Sequence, residues 1–196
     1  MAREQSKAAK RRFGDGAFHL RYFAGHGLDI GGKPDPLGLY VGAFARLLSC
    51  RTWDLDDGDA QFLAGVPDGS FDFVHSSHCL EHLRDPGEAL GNWVRVTKPG
   101  GYVVVTVPDE DLYEQGRWPS RFNPDHKRTF TIHKASSWSP QSVNVLALLA
   151  PLAPRALIER IVLHRDFFDE ALAANKPDQT LTPVAECAIE FILRKA

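Results

Sequence analysis

The length, composition and charge of the chain fit one globular domain and exclude several classes of protein. Its 196 residues are 43% hydrophobic, enough to build a single core, and its formal net charge of −2 argues against binding nucleic acid through phosphate neutralisation. No apolar run approaches the roughly 20 residues that span a bilayer, and the basic N-terminus lacks the apolar stretch of a secretory signal. Three cysteines without a C-x-x-C pair are typical of reduced thiols. We therefore expect a cytoplasmic protein with no nucleic-acid or membrane partner.

Helical and strand patterns alternate along the chain. A polar segment, 1–26, comes first, and its basic stretch at 7–12 is typical of a charged, frayed terminus. Apolar periodicity then predicts helices at 39–48, 86–97 and 142–152. Strand-like runs lie at 28–30, 51–55, 71–74, 102–107, 156–163 and 185–193. This alternation predicts an α/β fold with helices on both faces of a mostly parallel sheet, in which 27–196 form one domain behind an N-terminal helical cap, 1–26.

Two features of this order indicate a nucleotide-type ligand. The first strand ends in Leu28-Asp29-Ile30-Gly31-Gly32, where glycines let a ligand approach the backbone and a following helix offers free N–H groups. Asp54 lies roughly 20 residues further on, about where such a fold holds a ribose, and Asp56 is the competing acid. The loop is not G-x-G-x-x-G, because Lys33 interrupts it. Both features also fit ordinary turns.

Five ordered segments form a more specific series. They are Leu28-Asp29-Ile30-Gly31-Gly32, Gly58-Asp59-Ala60-Gln61-Phe62-Leu63, Pro67-Asp68-Gly69-Ser70-Phe71-Asp72-Phe73-Val74, Leu80-Glu81-His82-Leu83 and Arg95-Val96-Thr97-Lys98-Pro99-Gly100-Gly101. Together they resemble the motifs of class I S-adenosylmethionine-dependent methyltransferases, in particular the small bacterial type-11-like members. The resemblance implies a Rossmann-like fold with S-adenosylmethionine as cofactor. Between Asp54 and Asp59 there is no room for the family's usual helix and third strand, so we expect an abbreviated sheet of about six strands, reduced after the second strand.

The resemblance also implies roles for residues at the matching positions. Asp29, Gly31 and Gly32 would line the methionine end of the cofactor, and Asp54 would accept hydrogen bonds from the ribose hydroxyls. Asp59 would take the adenine amino group, with Ala60 and Phe62 beside the ring. Ser76, Ser77 and His78 would face the cofactor. The family usually has a glycine where Lys33 stands, so the path of the loop and the choice between Asp54 and Asp56 stay open.

The polar and aromatic stretch at 109–133 is long enough for a loop to indicate function. Displacement at a sulfonium needs positioning and exclusion of water, and a hydroxyl acceptor also needs a base whose pKa lies near the working pH. The candidate bases are His126 in this stretch and His78. The candidate acceptor contacts are Asp109, Glu110, Tyr113 and Trp118.

The segment from His78 to His82 also fits H-x-x-E-H, a zinc-peptidase signature. A zinc site of that kind needs both histidines on a sustained helix and a third protein ligand. Asp85-Pro86-Gly87 breaks the chain soon after the motif. We therefore predict no metal.

These observations predict an S-adenosylmethionine-dependent methyltransferase that acts on a small polar acceptor. By analogy with the family, the leading acceptor is a sugar hydroxyl or glycan precursor. The alternative is a non-catalytic Rossmann-like subunit that binds the cofactor or a partner. A nicotinamide-dependent oxidoreductase is a third interpretation, weakened by the lack of G-x-G-x-x-G. No feature of the sequence indicates the oligomeric state.

Overall fold

The computed structural model describes residues 4–196, and the first three residues of the predicted N-terminal segment lie outside the described residues. The helices are α1 (Glu4–Phe13), α2 (Gly16–Tyr22), α3 (Pro86–Val96), α4 (Val145–Leu149) and α5 (Glu170–Ala173). The strands are β1 (Gly25–Ile30), β2 (Leu47–Trp53), β3 (Phe71–Ser77), β4 (Thr97–Pro108), β5 (Thr129–Thr131), β6 (Ser142–Asn144), β7 (Ala156–His164) and β8 (Ala188–Lys195). None of the helices described over 4–196 is long and apolar enough to cross a membrane.

Six strands form one mixed sheet in the order β2-β1-β3-β4-β8-β7. Strands β2, β1, β3 and β4 run parallel, and β8 lies antiparallel between β4 and β7. The short strands β5 and β6 pair separately. The prediction of a mostly parallel, abbreviated sheet of about six strands is confirmed.

Both faces of this sheet are covered by helices. One face packs against α3 and α4. On this face a row of neighbouring apolar side chains crosses β1, β3, β4 and β8, and it consists of Leu28, Val74, Val103 and Leu193. The opposite face includes Phe73, Val104 and Ile192, which pack with Phe18 and Phe23 of the N-terminal region. Because successive side chains of a strand alternate between faces, a strand covered on both faces needs a nearly continuous apolar run, as in β4, where only Thr106 interrupts it.

Helix α3 confirms the helix predicted at 86–97. Asp85 accepts a hydrogen bond from Glu88 N at 3.0 Å, and Pro86 stands in the first turn, which is a favourable helix start. The apolar stripe of this helix, including Leu90 and Trp93, is fully buried against the sheet.

The prediction of a helix at 39–48 is wrong. Only a 3₁₀ turn forms at Leu37–Tyr40, and β2 begins at Leu47, ahead of the strand predicted at 51–55. Pairing with β1 draws this segment into the sheet, so a tertiary interaction overrides the local periodicity. The glycine turn after β1 is therefore not followed by a helix that could offer N–H groups. The helix predicted at 142–152 is also shorter, because β6 pairs with β5 before α4 begins.

A chain of buried polar side chains joins α1 to the glycine turn. Arg12 is fully buried and donates to Glu190 Oε2 at 2.6 Å. Its Nη1 lies 3.1 Å from His75 Nε2, and His75 Nδ1 lies 2.6 Å from Asp29 Oδ1. Because arginine only donates, His75 accepts at Nε2 and donates at Nδ1; burial, which lowers the pKa of His75, favours this neutral form. The prediction of a frayed terminus at 7–12 is wrong, because its last residue is bound into the core.

Replacing Arg12 tests how far this buried chain stabilises the fold. Arg12→Leu leaves the Glu190 carboxylate with only Arg11 as a hydrogen-bonding partner among the described arginines and removes the donor to His75. Breaking a buried pair costs about 3–5 kcal/mol, and we expect that loss in the free energy of unfolding measured by urea denaturation. Arg21→Leu is the control, because the pair between Arg21 and Glu159 is partly exposed and such pairs contribute little. Equal losses in the two variants would contradict the role given to the buried chain.

Candidate functional site

A cleft lies at the carboxyl ends of β1, β2 and β3, where open α/β sheets bind their ligands. It encloses about 690 Å³ and adjoins a smaller cavity of about 180 Å³. Gly31, Lys33 and His78 line both spaces, which therefore meet between the glycine turn and the end of β3. An elongated ligand with two chemically different halves fits this arrangement.

The glycine turn is held in place by Asp29. Leu37 N donates to Asp29 Oδ2 at 2.7 Å, and the other carboxylate oxygen belongs to the buried chain described above. A Cβ on Gly32 would lie 2.3 Å from Asp29 Oδ2, and one on Gly31, where φ is +71°, would lie 2.6 Å from Cys79 Cβ. Asp29 lines the smaller cavity, but both its oxygens are engaged, so its first task is to shape the turn.

Asp54 lines the cleft, whereas Asp56 does not. Asp54 accepts hydrogen bonds from Lys33 N at 3.1 Å and from Leu55 N at 2.9 Å. The side chain of Asp56 is 88% exposed and pairs with Lys33 Nζ at 2.9 Å. Lys33 thus ties the glycine turn to the end of β2 and directs its ammonium group to Asp56. Of the two acids that the sequence left open, the geometry favours Asp54 as a ligand contact.

The far wall of the cleft is formed by the turn after β2. Asp59 and Ala60 line it, and Asp59 Oδ1 accepts a hydrogen bond from Gln61 N at 2.8 Å. Phe62 is 40% exposed and is not among the residues that line the cleft. The structure therefore brings Asp54, Asp59 and Ala60 together and leaves Phe62 outside.

Four polar side chains around the smaller cavity have buried atoms without a hydrogen-bond partner among the described residues. They are Glu4, Gln5, Ser77 and His78. Each unsatisfied buried group costs about 1–3 kcal/mol, so their concentration in one cavity indicates a polar ligand. Ser76 differs, because it is fully buried, donates to Ile30 O at 3.1 Å and lines neither space.

Several of these residues were missed by sequence reasoning. Glu4 and Gln5 belong to α1, whose sequence shows only a polar terminus with no motif to mark a site. Trp53 and Arg84 also line the cleft. The position of Trp53 directly before Asp54, at a strand end, is a signal that could have found it.

His78 stands where the two spaces meet. Its φ of +54° lies in the left-handed region that non-glycine residues rarely adopt. Its Nδ1 lies 3.5 Å from Glu81 Oε1, and its Nε2 lies 3.8 Å from Glu4 Oε2. Burial by itself lowers the pKa of His78, but the two carboxylates raise this pKa above its ordinary value.

His126 lies behind the cleft wall, in the loop after β4. It is 6% exposed, with Nδ1 at 2.7 Å from Glu114 Oε1 and Nε2 at 3.9 Å from Glu81 Oε1. Lys127 N donates to Glu81 O at 2.8 Å, which fastens the loop to the segment after β3. His126 is not among the residues that line either space, but it packs against His82, which lines the cleft, with ring centroids 5.0 Å apart.

The residues that line the two spaces include none of the four predicted acceptor contacts. Asp109 accepts two backbone hydrogen bonds from its own turn, and burial raises the pKa of this carboxyl to about 6. Glu110 is fully buried in a 2.7 Å ion pair with a lysine. Tyr113 packs on His126 with ring centroids 5.3 Å apart, and Trp118 is half-buried in the same loop. Asp109, Glu110 and Tyr113 thus organise the loop that backs the cleft.

Parts of the sequence are similar to known methyltransferases. The model of a methyltransferase domain family matches residues 19–141. A Mycolicibacterium smegmatis protein, named probable S-adenosylmethionine-dependent methyltransferase, is 35% identical over 145 residues, which cover 64% of this chain and 56% of that protein. Ajmaline N-methyltransferase of Rauvolfia serpentina is 33% identical over 100 residues, 50% of this chain and 33% of that enzyme. The chain thus spans about half or less of the length of these curated relatives.

The fold is similar to those of solved structures over nearly the whole chain. A SAM-dependent methyltransferase from Archaeoglobus fulgidus has a TM-score of 0.57 at 18% identity, covering 98% of this chain and 94% of that one. An S-adenosylmethionine-dependent methyltransferase from Mesorhizobium loti has a TM-score of 0.53 at 14% identity, covering 98% and 100%. At such identities the likeness shows the fold alone, a Rossmann-like sheet with helices on both faces.

Adding a methyl group at Gly32 tests the packing of the glycine turn. In Gly32→Ala the new Cβ meets the carboxylate of Asp29, which cannot move without breaking its own hydrogen bonds. Overpacking of this kind costs about 1–3 kcal/mol, and we expect that decrease in the free energy of unfolding. Gly42→Ala is the matched control, because a Cβ there meets no atom within 4 Å. A Gly32→Ala protein as stable as the control would show that the turn is less tightly packed than described.

Proposed function

This chain belongs to the family of S-adenosylmethionine-dependent methyltransferase domains, and we propose that it transfers the methyl group of this cofactor to a small polar acceptor. The observation that carries the proposal is the pair of adjoining spaces at the strand ends. The larger one has the size and carboxylates to hold an adenosine, and the smaller one has unpartnered polar atoms for a charged amino-acid tail. Gly31 and His78, which line both spaces, would then border the sulfonium.

The carboxylates of the cleft support the placement of the adenosine half. Asp54 would accept hydrogen bonds from the ribose hydroxyls and Asp59 from the adenine amino group, with Ala60 beside the ring. We do not assign Phe62 to the adenine, because it lies outside the cleft lining.

The smaller cavity supports the placement of the methionine half. Gln5, Ser77 and the backbone at Gly31 and Gly32 bind the charged amino and carboxylate groups. Asp29 and Ser76 act from behind, by holding the glycine turn and the end of β3 in position.

The bound cofactor would supply an electrophilic methyl group, whose carbon–sulfur bond would break as a lone pair of the acceptor bonds to the methyl carbon. The fold contributes by holding the acceptor in line and by excluding water. For a hydroxyl acceptor, His78 would take the proton, because it lies where the two spaces meet. His126 helps to hold His78 in position through Glu81, whose carboxylate faces both histidine rings. Tyr113 packs against His126. Asp109, Glu110 and Trp118 contribute indirectly, because they fix the conformation of the loop that lies behind the cleft.

We propose a sugar hydroxyl or glycan precursor as the acceptor. Arg84, Asp125 and Lys127 line the larger cleft, and this mixture of charged donors and acceptors suits a molecule rich in hydroxyls. An apolar acceptor would leave these groups unpaired at a cost in binding free energy.

We also propose that 27–196 form one catalytic domain that is completed by the N-terminal cap, 1–26. Helix α1 supports this view, since Glu4 and Gln5 line the smaller cavity.

We propose the cytoplasm as the compartment of the protein. Its cysteines Cys50, Cys79 and Cys187 are free, as is usual in a reducing cytoplasm.

Titration calorimetry with S-adenosylmethionine, S-adenosylhomocysteine and a nicotinamide dinucleotide tests the proposal. We expect micromolar binding of the first two ligands and none of the third. Asp54→Asn removes the charge that faces the ribose and one of the two oxygens that accept backbone hydrogen bonds, and we expect affinity to fall about 10- to 100-fold. Asp56→Asn is the matched control, since this neighbouring carboxylate lies outside the cleft, and its affinity should equal that of the unaltered protein.

Each other outcome has a definite meaning. Binding of the nicotinamide dinucleotide alone would identify an oxidoreductase. Cofactor binding without turnover on any sugar would favour the non-catalytic subunit, and no binding at all would end the enzyme proposal. Equal losses in the two aspartate variants would remove Asp54 from the site.

A further inference from the structure

Three potential metal ligands converge beneath the wall of the larger cleft. Glu81, His82 and His126 each offer one ligand atom, and these atoms lie within 4.8 Å of one another. His82 Nε2 is 4.0 Å and His126 Nε2 is 3.9 Å from the same oxygen, Glu81 Oε1. The histidine rings stand nearly perpendicular, with centroids 5.0 Å apart. Two imidazoles and one carboxylate therefore face a common point.

The carboxylate of Glu81 is fully buried and poorly satisfied. Its side chain has no exposed area, and neither of its oxygens has a hydrogen-bond partner among the described residues. Of the three histidine nitrogens that pair with it, the nearest, Nδ1 of His78, is 3.5 Å away. Because a buried carboxylate is costly unless it is both paired and hydrogen-bonded, a cation at the point that His82 and His126 face would stabilise Glu81.

Each of the two histidines is oriented by a second carboxylate. His82 Nδ1 lies 2.9 Å from Asp125 Oδ2, and His126 Nδ1 lies 2.7 Å from Glu114 Oε1. With Nδ1 donating to a carboxylate, Nε2 is the free lone pair, and in both rings Nε2 faces Glu81. Metal-binding histidines have this carboxylate–histidine arrangement, which sets the tautomer and the direction of the ring.

We propose that Glu81, His82 and His126 bind one divalent transition-metal ion, for which Zn²⁺ is the best match. Two imidazoles and a carboxylate suit zinc and leave a fourth position open, whereas Mg²⁺ and Ca²⁺ prefer oxygen ligands. Ligands around tetrahedral zinc lie roughly 3.3 Å apart, so the site has to contract modestly on binding. The side chain of His82 is 25% exposed and lines the cleft, which gives the open position access to an oxygen atom of a ligand there.

This site is different from the H-x-x-E-H pattern read in the sequence. That pattern requires His78 and His82 on one helix, but only a 3₁₀ turn forms at Leu80–His82. The third ligand is His126, which the fold brings in from a separate loop. The prediction of no metal rested on helical geometry and did not anticipate a ligand from that loop. If the ion is bound, His126 is a ligand of the ion, and His78 remains the residue that takes the proton in the proposed function.

Zinc titration of the tag-free, chelator-treated full chain tests the site. We expect one equivalent of Zn²⁺ to bind with sub-micromolar affinity and to raise the melting temperature, and Co²⁺ to give the visible absorption of a four- or five-coordinate ion. Glu81→Gln and His126→Ala should abolish the thermal shift and the Co²⁺ spectrum. Glu114→Gln removes only the orienting carboxylate and should weaken zinc binding about 10- to 100-fold. His26→Ala is the control, because His26 is exposed and bonds to Ser49 at the opposite end of β1.

The outcomes separate this inference from the proposed function. Zinc binding that is unchanged in Glu81→Gln and His126→Ala, or lost equally in His26→Ala, would overturn the site. Near-ultraviolet circular dichroism of the metal-free variants establishes that they are folded, and Glu114→Gln provides a second test that leaves all three ligands in place. The zinc titrations contain no S-adenosylmethionine, and the cofactor titrations use chelator-treated protein. Failure of one proposal therefore leaves the other standing.

Discussion

The buried chain from Glu190 through Arg12 and His75 to Asp29 is the constraint on which the cleft depends. It joins β8, α1 and β3 to the glycine turn through side chains that are almost entirely excluded from water. In such surroundings each polar group needs its partner, since an unpaired one costs far more than it would at the surface. No helix follows β1 to support the turn, so Asp29 supports it instead, and the position of Asp29 is set by the rest of the chain.

Helix α1 consequently serves both the core and the site. Gln5 and Arg12 are two helical turns apart, so they lie on the same face of the helix. Burying Arg12 against Glu190 places Gln5 over the smaller cavity, where its amide has no partner among the described residues. The stability of the fold and the composition of the ligand site are therefore linked through one short helix.

Glu81 organises the other wall in a comparable way. Its backbone oxygen accepts hydrogen bonds from Lys127 N and Arg128 N, and its carboxylate faces the rings of His78, His82 and His126. Burial by itself raises the pKa of the Glu81 carboxylate. The nearby histidines, above all His78, lower this pKa, which therefore lies below its ordinary value. Glu81 thus places a buried carboxylate next to His78 and His82, the two histidines that line the cleft.

The sequence by itself determined the elements whose signals are local. The apolar residues of β4, the capped start of α3 and the ordered motifs around Asp29, Asp54 and Asp59 each consist of contiguous residues. They predicted the fold class and part of the lining of the two spaces, including Asp54 and Asp59. Tertiary structure decided the rest. The segment at 39–48 became a turn and an edge strand because pairing with β1 outweighed its helical periodicity, and Phe62 fell outside the cleft. The unpartnered groups of Glu4 and Gln5 and the meeting of Glu81 with His126 depend on segments far apart in the chain. Local pattern encodes backbone preference, whereas the desolvation and pairing of side chains depend on which distant segments become neighbours, and only the folded structure determines that.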